Sequence, residues 1–189
     1  MESITTQQAI AGLLGALGIG LLVYLLWRLR LRLRARPESV FRRISRQRLK
    51  DVLVEDGLDG EIHLEHVMLT AHGALVVDLR NADGAVFGGP RLEEWKVMSG
   101  QRRFAFRNPL EPLAARVQAV ERLVHPVPVF GRVVFVGQVE FPGGAMDRVS
   151  TLSDLEAEFA DPGDGGKALD AFQTGWERLA EVTRPHPPQ

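Results

Sequence analysis

The fold of this chain is decided by the stretch IHLEHVMLTAHGALVVDLRN, which covers residues 62–81. It holds two runs rich in apolar residues, Ile62–Thr70 and Ala74–Arg80, separated by the short segment Ala71-His72-Gly73. Apolar runs of this length on either side of a glycine-containing turn are typical of paired antiparallel strands. The stretch therefore predicts a β-hairpin.

The register of this hairpin determines which side chains meet. A two-residue loop pairs Thr70 with Gly73, and the same register places Glu65 opposite Asp78. Arg80 shares a face with Asp78, because alternate side chains of a strand point to the same side. The hairpin thus predicts two carboxylates and a guanidinium over one patch of the sheet, unless the register slips by one residue.

Two interpretations of this patch remain open from spacing alone. Adjacent carboxylates repel each other unless a cation compensates, and Mg²⁺ prefers hard oxygen ligands, so Glu65 and Asp78 form a candidate metal site. The alternative is an ion pair between Asp78 and Arg80 that leaves Glu65 partly solvated.

Further along the chain, helix and strand signals alternate. Asn108-Pro109-Leu110-Glu111 has the residue types of a capped helix start, and apolar residues then recur at helical spacing as far as Val124. Val133–Val136 predicts a buried strand, Ser153–Glu156 a second capping box, and Lys167–Val182 a final amphipathic helix. This order of elements predicts a mixed α/β fold.

The N-terminus carries a candidate membrane anchor. Residues 9–27 read AIAGLLGALGIGLLVYLLW, an uncharged run about as long as a helix needs to cross the ~30 Å hydrocarbon core. No Lys or Arg precedes the run and arginines follow it at once, which is unlike a cleaved signal peptide. By the positive-inside rule, we expect a transmembrane helix at 9–27 in the cell inner membrane, residues 1–8 outside and the domain in the cytoplasm.

Charge is divided unevenly along the chain. The stem at residues 28–50 holds ten of the 23 basic residues and one acid, Glu38, which predicts contact with anionic lipid or, alternatively, with nucleic-acid phosphates. Residues 51–189 keep 13 basic against 22 acidic residues, which disfavours nucleic-acid binding by the whole domain surface. The absence of cysteine excludes disulfides, cysteine-ligated zinc and a thiol nucleophile.

Several spaced motifs together resemble a known family. They are HLEHVMLTAHGALVVDLRNADGAVFGG at residues 63–89, then Trp95, then Arg107-Asn108-Pro109-Leu110. Their order resembles the nuclease-related domain (NERD) family, which itself resembles the PD-(D/E)xK restriction-endonuclease-like nucleases. The resemblance covers about residues 51–125 and implies a restriction-endonuclease-like mixed sheet flanked by helices. We place this domain at 51–183 and expect the tail at 184–189 to be disordered.

The resemblance also implies a Mg²⁺ site. Glu65 stands where the family has its metal-binding Asp, Asp78 where it has its Glu, and Arg80 where it has its Lys. The implied catalytic residues are therefore Glu65, Asp78 and Arg80, with Glu65, Asp78 and the Leu79 carbonyl binding a metal that polarises a phosphodiester. Polar and basic residues that follow are the predicted contacts to nucleic acid: Asn81, Arg102, Arg103 and Arg107.

The chain departs from the family pattern at the positions that carry the chemistry. The two carboxylate types have exchanged places, His63 replaces the usual Gln, and Arg80 cannot be deprotonated to act as a general base. Two functions remain open from the sequence. One is a degenerate module that binds nucleic acid or a protein partner at the inner membrane. The other is an active Mg²⁺-dependent nuclease that cuts DNA or RNA there.

Overall fold

The computed structural model describes Tyr24 and residues 36–57, 60–144, 146–161, 163 and 165–187. Residues 36–189 form one compact unit. The predicted transmembrane helix at 9–27 lies, apart from Tyr24, outside the described residues. Within those residues, no helix combines the length and the hydropathy that a membrane span requires.

The described residues form one helix, six consecutive strands and then a mixture of helices and strands, in the general order that the sequence predicted. In chain order they are α1 (Pro37–Ile44), β1 (Gln47–Glu55), β2 (Glu61–Thr70), β3 (Gly73–Asn81), β4 (Gly84–Phe87), β5 (Glu94–Ser99), β6 (Arg102–Arg107), α2 (Leu110–Val124), β7 (Val129–Val136), β8 (Val139–Glu140), β9 (Val149–Thr151), α3 (Leu152–Glu158), α4 (Gly165–Val182) and β10 (Arg184–Pro185).

These strands form two sheets. The large sheet has the order β10-β1-β2-β3-β7-β9, and the small sheet has the order β6-β5-β4-β8. Strands β1, β2 and β3 pair antiparallel, whereas β7 runs parallel to both β3 and β9. The predicted mixed α/β fold is confirmed, and the mixed sheet is consistent with a restriction-endonuclease-like architecture.

The hairpin of β2 and β3 has the predicted register. Thr70 pairs with Gly73, and the ladder continues to the pair formed by His66 and Val77. Gly73 has a φ of 137°, and a Cβ at this position would lie 2.3 Å from the carbonyl oxygen of Pro128. Glycine is therefore required both by the backbone conformation and by the approach of the neighbouring chain.

Helices cover both faces of the large sheet. Successive side chains of β3 point to opposite faces, so Val76 and Val77 belong to different buried clusters. The first cluster includes Leu113 of α2, and the second includes Phe41 of α1. Asp78 is two residues after Val76 and therefore points to the same face of the sheet, toward α2.

Strands β1 and β2 are kinked at the same level. In β2, Leu64 and Val67 share one buried cluster although they are three residues apart, so strict alternation is interrupted between them. In β1, Asp51 has a φ of 49°, a left-handed conformation that Asp tolerates better than most residues. The backbone pairing skips Asp51 and Glu65, and the kink thereby turns Glu65 out of the regular ladder.

The domain starts earlier than the predicted boundary at residue 51. Helix α1 and the first four residues of β1, 47–50, occupy positions that the sequence assigned to the basic stem at 28–50. The apolar side chains of α1 explain the difference, because Val40, Phe41 and Ile44 are buried in the second cluster. A single apolar stripe was hidden among the arginines of this segment.

The predicted disordered tail at 184–189 is wrong over its first residues. Arg184 and Pro185 form β10 and pair with Leu53 and Val52 of β1, and the backbone N of His186 donates to Asp51 O at 2.8 Å. β1 would otherwise expose an edge of unpaired backbone groups, and the C-terminal segment covers it.

Helix α2 begins and ends where its sequence pattern predicted, but its cap differs in detail. Asn108 Oδ1 accepts from the backbone N of Leu110 at 2.9 Å, while Glu111 pairs with Arg107 instead of closing a capping box. The second predicted capping box, Ser153–Glu156, is displaced by two residues. The observed box joins Thr151 and Asp154, because Thr151 is the extended residue that precedes α3.

Candidate functional site

The kink in β2 directs the Glu65 carboxylate toward β3. Beyond the last ladder pair, His66 with Val77, Oε2 of Glu65 accepts a hydrogen bond from the backbone N of Leu79 at 2.9 Å. Burial raises the pKa of Glu65, the Leu79 N–H bond opposes that rise, and the nearby charge of Asp78 adds to it. The structure therefore brings the two carboxylates together, with Glu65 bound to the backbone beside Asp78.

Asp78 is buried against α2 and held by a residue that the sequence did not single out. Its side chain is 2% exposed, and Oδ2 lies 2.7 Å from Nη1 of Arg116. The Nε of Arg116 also donates to the carbonyl oxygen of His63 at 2.7 Å. Arg116 therefore ties the acid of β3 to the kinked end of β2.

Helical spacing was the one available signal for Arg116. It lies three residues after Leu113 and four before Val120, both of which are fully buried. Positions three and four apart share a helix face, so Arg116 faces the sheet. An arginine on the buried face of a helix requires a partner, since few arginines are buried unpaired.

Arg80 does not form the predicted ion pair with Asp78. Its Nη1 donates instead to the carbonyl oxygen of Leu79 at 2.8 Å. Its charge still acts on both acids, because it opposes the rise in the pKa of Glu65 and of Asp78. The alternative interpretation from spacing is thus corrected: the partner of Asp78 is Arg116, which reaches it from another element.

Burial dominates the electrostatics of Asp78 in spite of its partner. Loss of solvent raises the pKa of this carboxyl, and the guanidinium groups of Arg116 and Arg80, with His63, offset only part of the rise. Two acids with raised pKa values and two guanidinium groups therefore occupy one end of the hairpin.

The substitution Glu65→Gln is expected to increase stability more at neutral than at acidic pH. The folded pKa of Glu65 lies above its ordinary value of 4.5, so the stabilisation linked to its protonation is present below pH 4.5 and is lost as pH rises through the folded pKa. The glutamine side chain keeps an acceptor for the Leu79 N–H and does not titrate. Urea unfolding from pH 4 to pH 7 measures the difference between the two proteins, and a difference that shrinks with rising pH contradicts the expectation.

The Mg²⁺ ligand set implied by the resemblance does not fit the side chains as they are arranged. The Leu79 carbonyl is held by Arg80, one oxygen of Asp78 by Arg116, and one oxygen of Glu65 by a backbone N–H. Two guanidinium groups already balance the two carboxylates. Among the described residues, no three His, Asp or Glu side chains are grouped to hold a metal ion.

Histidines flank the site without joining it. The ring of His63 lies 4.5 Å from that of His186, and its Nε2 is 3.4 Å from Oδ1 of Asp51. His66 packs against Phe41 at 5.0 Å, and burial is the main cause that lowers its pKa. His186 reaches this region through β10, and no sequence pattern indicated that contact.

The residues predicted to bind nucleic acid do not share a sheet face with Asp78. Asn81 is exposed at the end of β3, and its side chain alternates to the face opposite Asp78. Arg102, Arg103 and Arg107 are exposed on β6 of the small sheet. The predicted site residues therefore divide between the two sheets.

Trp95 and Asn108 organise the loop between β4 and β5 of the small sheet. Trp95 is fully buried and its Nε1 donates to Gly89 O at 3.1 Å. The Nδ2 of Asn108 donates to the carbonyl of Leu92 at 2.8 Å, and to those of Gly89 and Pro90 at 3.3 Å. Both side chains hold the loop that precedes β5, so their roles here are structural.

The hairpin with its two neighbouring acids, Trp95 and the helix opened by Asn-Pro-Leu are the features on which the resemblance to nuclease-related domains rests. The sequence profile of the nuclease-related domain matches residues 30–136, which is more than half of the chain. The chain belongs to the nuclease-related domain family. Membership in this family indicates a nuclease-related function and suggests dependence on a divalent metal.

The matched region extends beyond the motifs that revealed it. It begins before α1 and ends with β7, so it includes both strands of the hairpin, the small-sheet strands β4 to β6, and α2. Neither the curated proteins nor the solved structures contain a significant match to this chain.

Proposed function

We propose that this chain is a nuclease-related domain that has lost hydrolytic activity and binds nucleic acid at the cytoplasmic face of the inner membrane. The observation that carries the proposal is the occupation of the metal-binding positions by arginine. Arg80 donates to the Leu79 carbonyl at 2.8 Å and Arg116 to Asp78 at 2.7 Å. A divalent cation would have to displace one guanidinium and lie beside the other, against Coulomb repulsion.

With arginine at position 80, the site lacks a proton acceptor at this position. The nuclease-related pattern has a lysine at this position, and a buried lysine shifts its pKa readily enough to serve as a base. A guanidinium stays protonated at every physiological pH, so Arg80 holds an anion or a carbonyl but does not accept a proton. Binding without cleavage is the outcome that these residue types favour.

The membrane location in this proposal is supported by the sequence alone. The uncharged run at 9–27 has the length of a membrane-spanning helix, and the basic stem at 28–50 favours the cytoplasmic side and contact with anionic lipid. An anchored domain of this kind would hold its nucleic acid within reach of the bilayer.

A cleavage and binding assay on the full chain in detergent micelles tests the proposal. Labelled single-stranded DNA, duplex DNA and single-stranded RNA are incubated with Mg²⁺ or Mn²⁺, and binding is measured separately in EDTA. We expect binding without cleavage for the wild type and for Asp78→Asn. Cleavage by the wild type that is lost in Asp78→Asn contradicts the loss of activity, and absence of binding contradicts the binding role.

A second candidate function is favoured by the surroundings of one carboxylate oxygen of Asp78. Oδ1 of Asp78 is buried and has no hydrogen-bond partner among the described residues, and buried carboxylate oxygens are normally paired. A Mg²⁺-dependent nuclease whose Arg80 moves off the Leu79 carbonyl would use that oxygen together with Glu65. The variant Arg80→Lys separates the two candidates. Mg²⁺-dependent cleavage by the wild type supports the nuclease. Cleavage by Arg80→Lys alone supports a metal site that arginine occupies in the wild type.

A further inference from the structure

The small sheet ends in a long strand with an open outer side. Among the described residues, β6 pairs only with β5, and its side chains are exposed along nearly its whole length. The outermost strands at the other sheet edges, β8, β9 and β10, have only two or three residues each. β6 is therefore the longest open strand edge of the described domain, and such an edge is a template for a further strand.

The backbone groups on the outer side of β6 can be identified from one hydrogen bond. The backbone N of Asn108 donates to Glu93 O at 2.8 Å, so these two residues form a hydrogen-bonded pair. Hydrogen-bonded and non-hydrogen-bonded pairs alternate along an antiparallel ladder. With the observed register, the N–H and C=O groups of Arg103, Ala105 and Arg107 consequently point away from β5. They have the spacing that an added strand requires.

The inner face of the small sheet is incomplete at β6. Phe104 lies opposite Val97, which is fully buried, so its ring belongs to the inner, apolar face. The ring is nevertheless 46% exposed, because no strand of the described residues lies beyond β6 to cover it. An added strand with an apolar side chain opposite Phe104 would extend this buried face.

The outer face and the end of the same strand are basic. Arg102, Arg103 and Lys96 are exposed and make no ion pair with a described residue, whereas Arg107 pairs with Glu111 at 3.3 Å. β6 itself contains three arginines and no acid. A second copy of this chain would add three more arginines to the edge, and like charges on paired strands are destabilising. The complementary occupant is therefore an acidic strand.

We propose that the open edge of β6 binds an extended segment of a partner protein in which acidic and apolar residues alternate. The backbone of the segment pairs with Arg103, Ala105 and Arg107. Its acidic side chains lie on the outer face beside Arg103, and an apolar side chain covers Phe104 on the inner face. In such strand addition the backbone bonds supply affinity and the alternate side chains supply specificity. This binding goes beyond the proposed nucleic-acid function and does not depend on it.

A labelled, end-capped synthetic peptide that alternates glutamate and valine is the probe, and its fluorescence anisotropy is followed as the full chain in micelles is added. Saturable binding is expected. Only one set of alternate amides faces β6, which in an antiparallel addition is the glutamate set. N-methylation of that set is expected to weaken binding at least ~10-fold, because it removes main-chain donors without changing charge. N-methylation of the other set is the matched control and is expected to have little effect.

Substitutions at Ala105 test the same edge from the side of the protein. Proline removes the outward N–H of this residue but no bond of the ladder with β5, so Ala105→Pro is expected to fold and to bind the peptide at least ~10-fold more weakly. Ala105→Ser keeps the N–H and is expected to bind like the wild type. If Ala105→Pro unfolds, the methylated peptides still decide the question with the wild-type chain.

Charge reversal tests the acidic character of the occupant. Arg103→Glu is expected to weaken binding of the peptide about 3-fold to 10-fold. Arg91→Glu reverses an exposed cation outside β6 and is expected to bind like the wild type.

Four results would overturn the proposal. They are absence of peptide binding to the wild type, equal effects of the two methylation patterns, undiminished binding to folded Ala105→Pro, and equal binding by Arg103→Glu and Arg91→Glu. Dimerisation of the chain that Ala105→Pro abolishes would likewise contradict it, since a second copy would then occupy the edge. None of these results bears on the nucleic-acid binding measured separately in EDTA.

Discussion

Replacing Arg116 with methionine is expected to lower the free energy of unfolding by about 3–5 kcal/mol. Asp78 is 2% exposed and its Oδ2 is held by Arg116 at 2.7 Å, while Oδ1 has no partner among the described residues. Methionine keeps an unbranched side chain between α2 and the sheet but removes the charge. The carboxylate would then remain buried without compensation, and the Nε bond to the His63 carbonyl would also be lost.

Urea unfolding at pH 7 measures this effect, and two further variants interpret it. Arg107→Met removes the exposed pair with Glu111, for which no more than about 1 kcal/mol is expected. The double variant Asp78→Leu/Arg116→Met removes both charges and is expected to recover much of the loss, since a buried pair replaced by apolar residues is often neutral. A loss below about 1 kcal/mol in Arg116→Met would show that Asp78 is solvated or protonated in the folded protein.

Replacing Trp95 with alanine is expected to lower the free energy of unfolding by about 3–5 kcal/mol, the usual cost of truncating a buried aromatic residue. Trp95 is fully buried on β5 of the small sheet. Its ring stacks on Phe135 of β7 at 6.5 Å and lies 6.1 Å from Phe106 of β6. The side chain thus joins the core of the small sheet to that of the large sheet, and its removal leaves a cavity between them.

The same unfolding experiment includes two comparisons. Leu92→Ala, at a position that is 52% exposed, is expected to change stability by no more than about 0.5 kcal/mol. Trp95→Phe keeps part of the ring packing and loses the Nε1 bond to Gly89, so an intermediate loss is expected. Equal stability of Trp95→Ala and Leu92→Ala would contradict the structural role of Trp95.

Local patterns in the sequence were sufficient for the central hairpin and for α2. The turn around Gly73 fixes the register of β2 and β3, because a two-residue loop leaves only one pairing that buries both apolar runs. The spacing of apolar residues from Leu110 to Val124 likewise gives the bounds and the buried face of α2. Both features depend on residues that are close together in the chain.

Contacts between distant segments were not accessible in this way. Arg116 meets Asp78 across 38 positions of sequence, and β10 meets β1 across more than 130. The kink was also hidden, because Asp51 carries no turn signal and regular alternation predicts Glu65 squarely opposite Asp78. What the sequence indicated was the identity of the two acids; what it missed was the pair of arginine contacts that determines their chemistry.

A Mn²⁺ titration of the full chain in micelles, followed by electron paramagnetic resonance of the free ion, tests directly whether arginine has replaced the metal. With Arg80 on the Leu79 carbonyl and Arg116 on Asp78, the free Mn²⁺ signal is expected to be the same for the wild type and Asp78→Asn across the titration. Saturable binding of one Mn²⁺ per chain that disappears in Asp78→Asn would contradict the replacement of the metal by arginine and would establish a metal centre between β2 and β3.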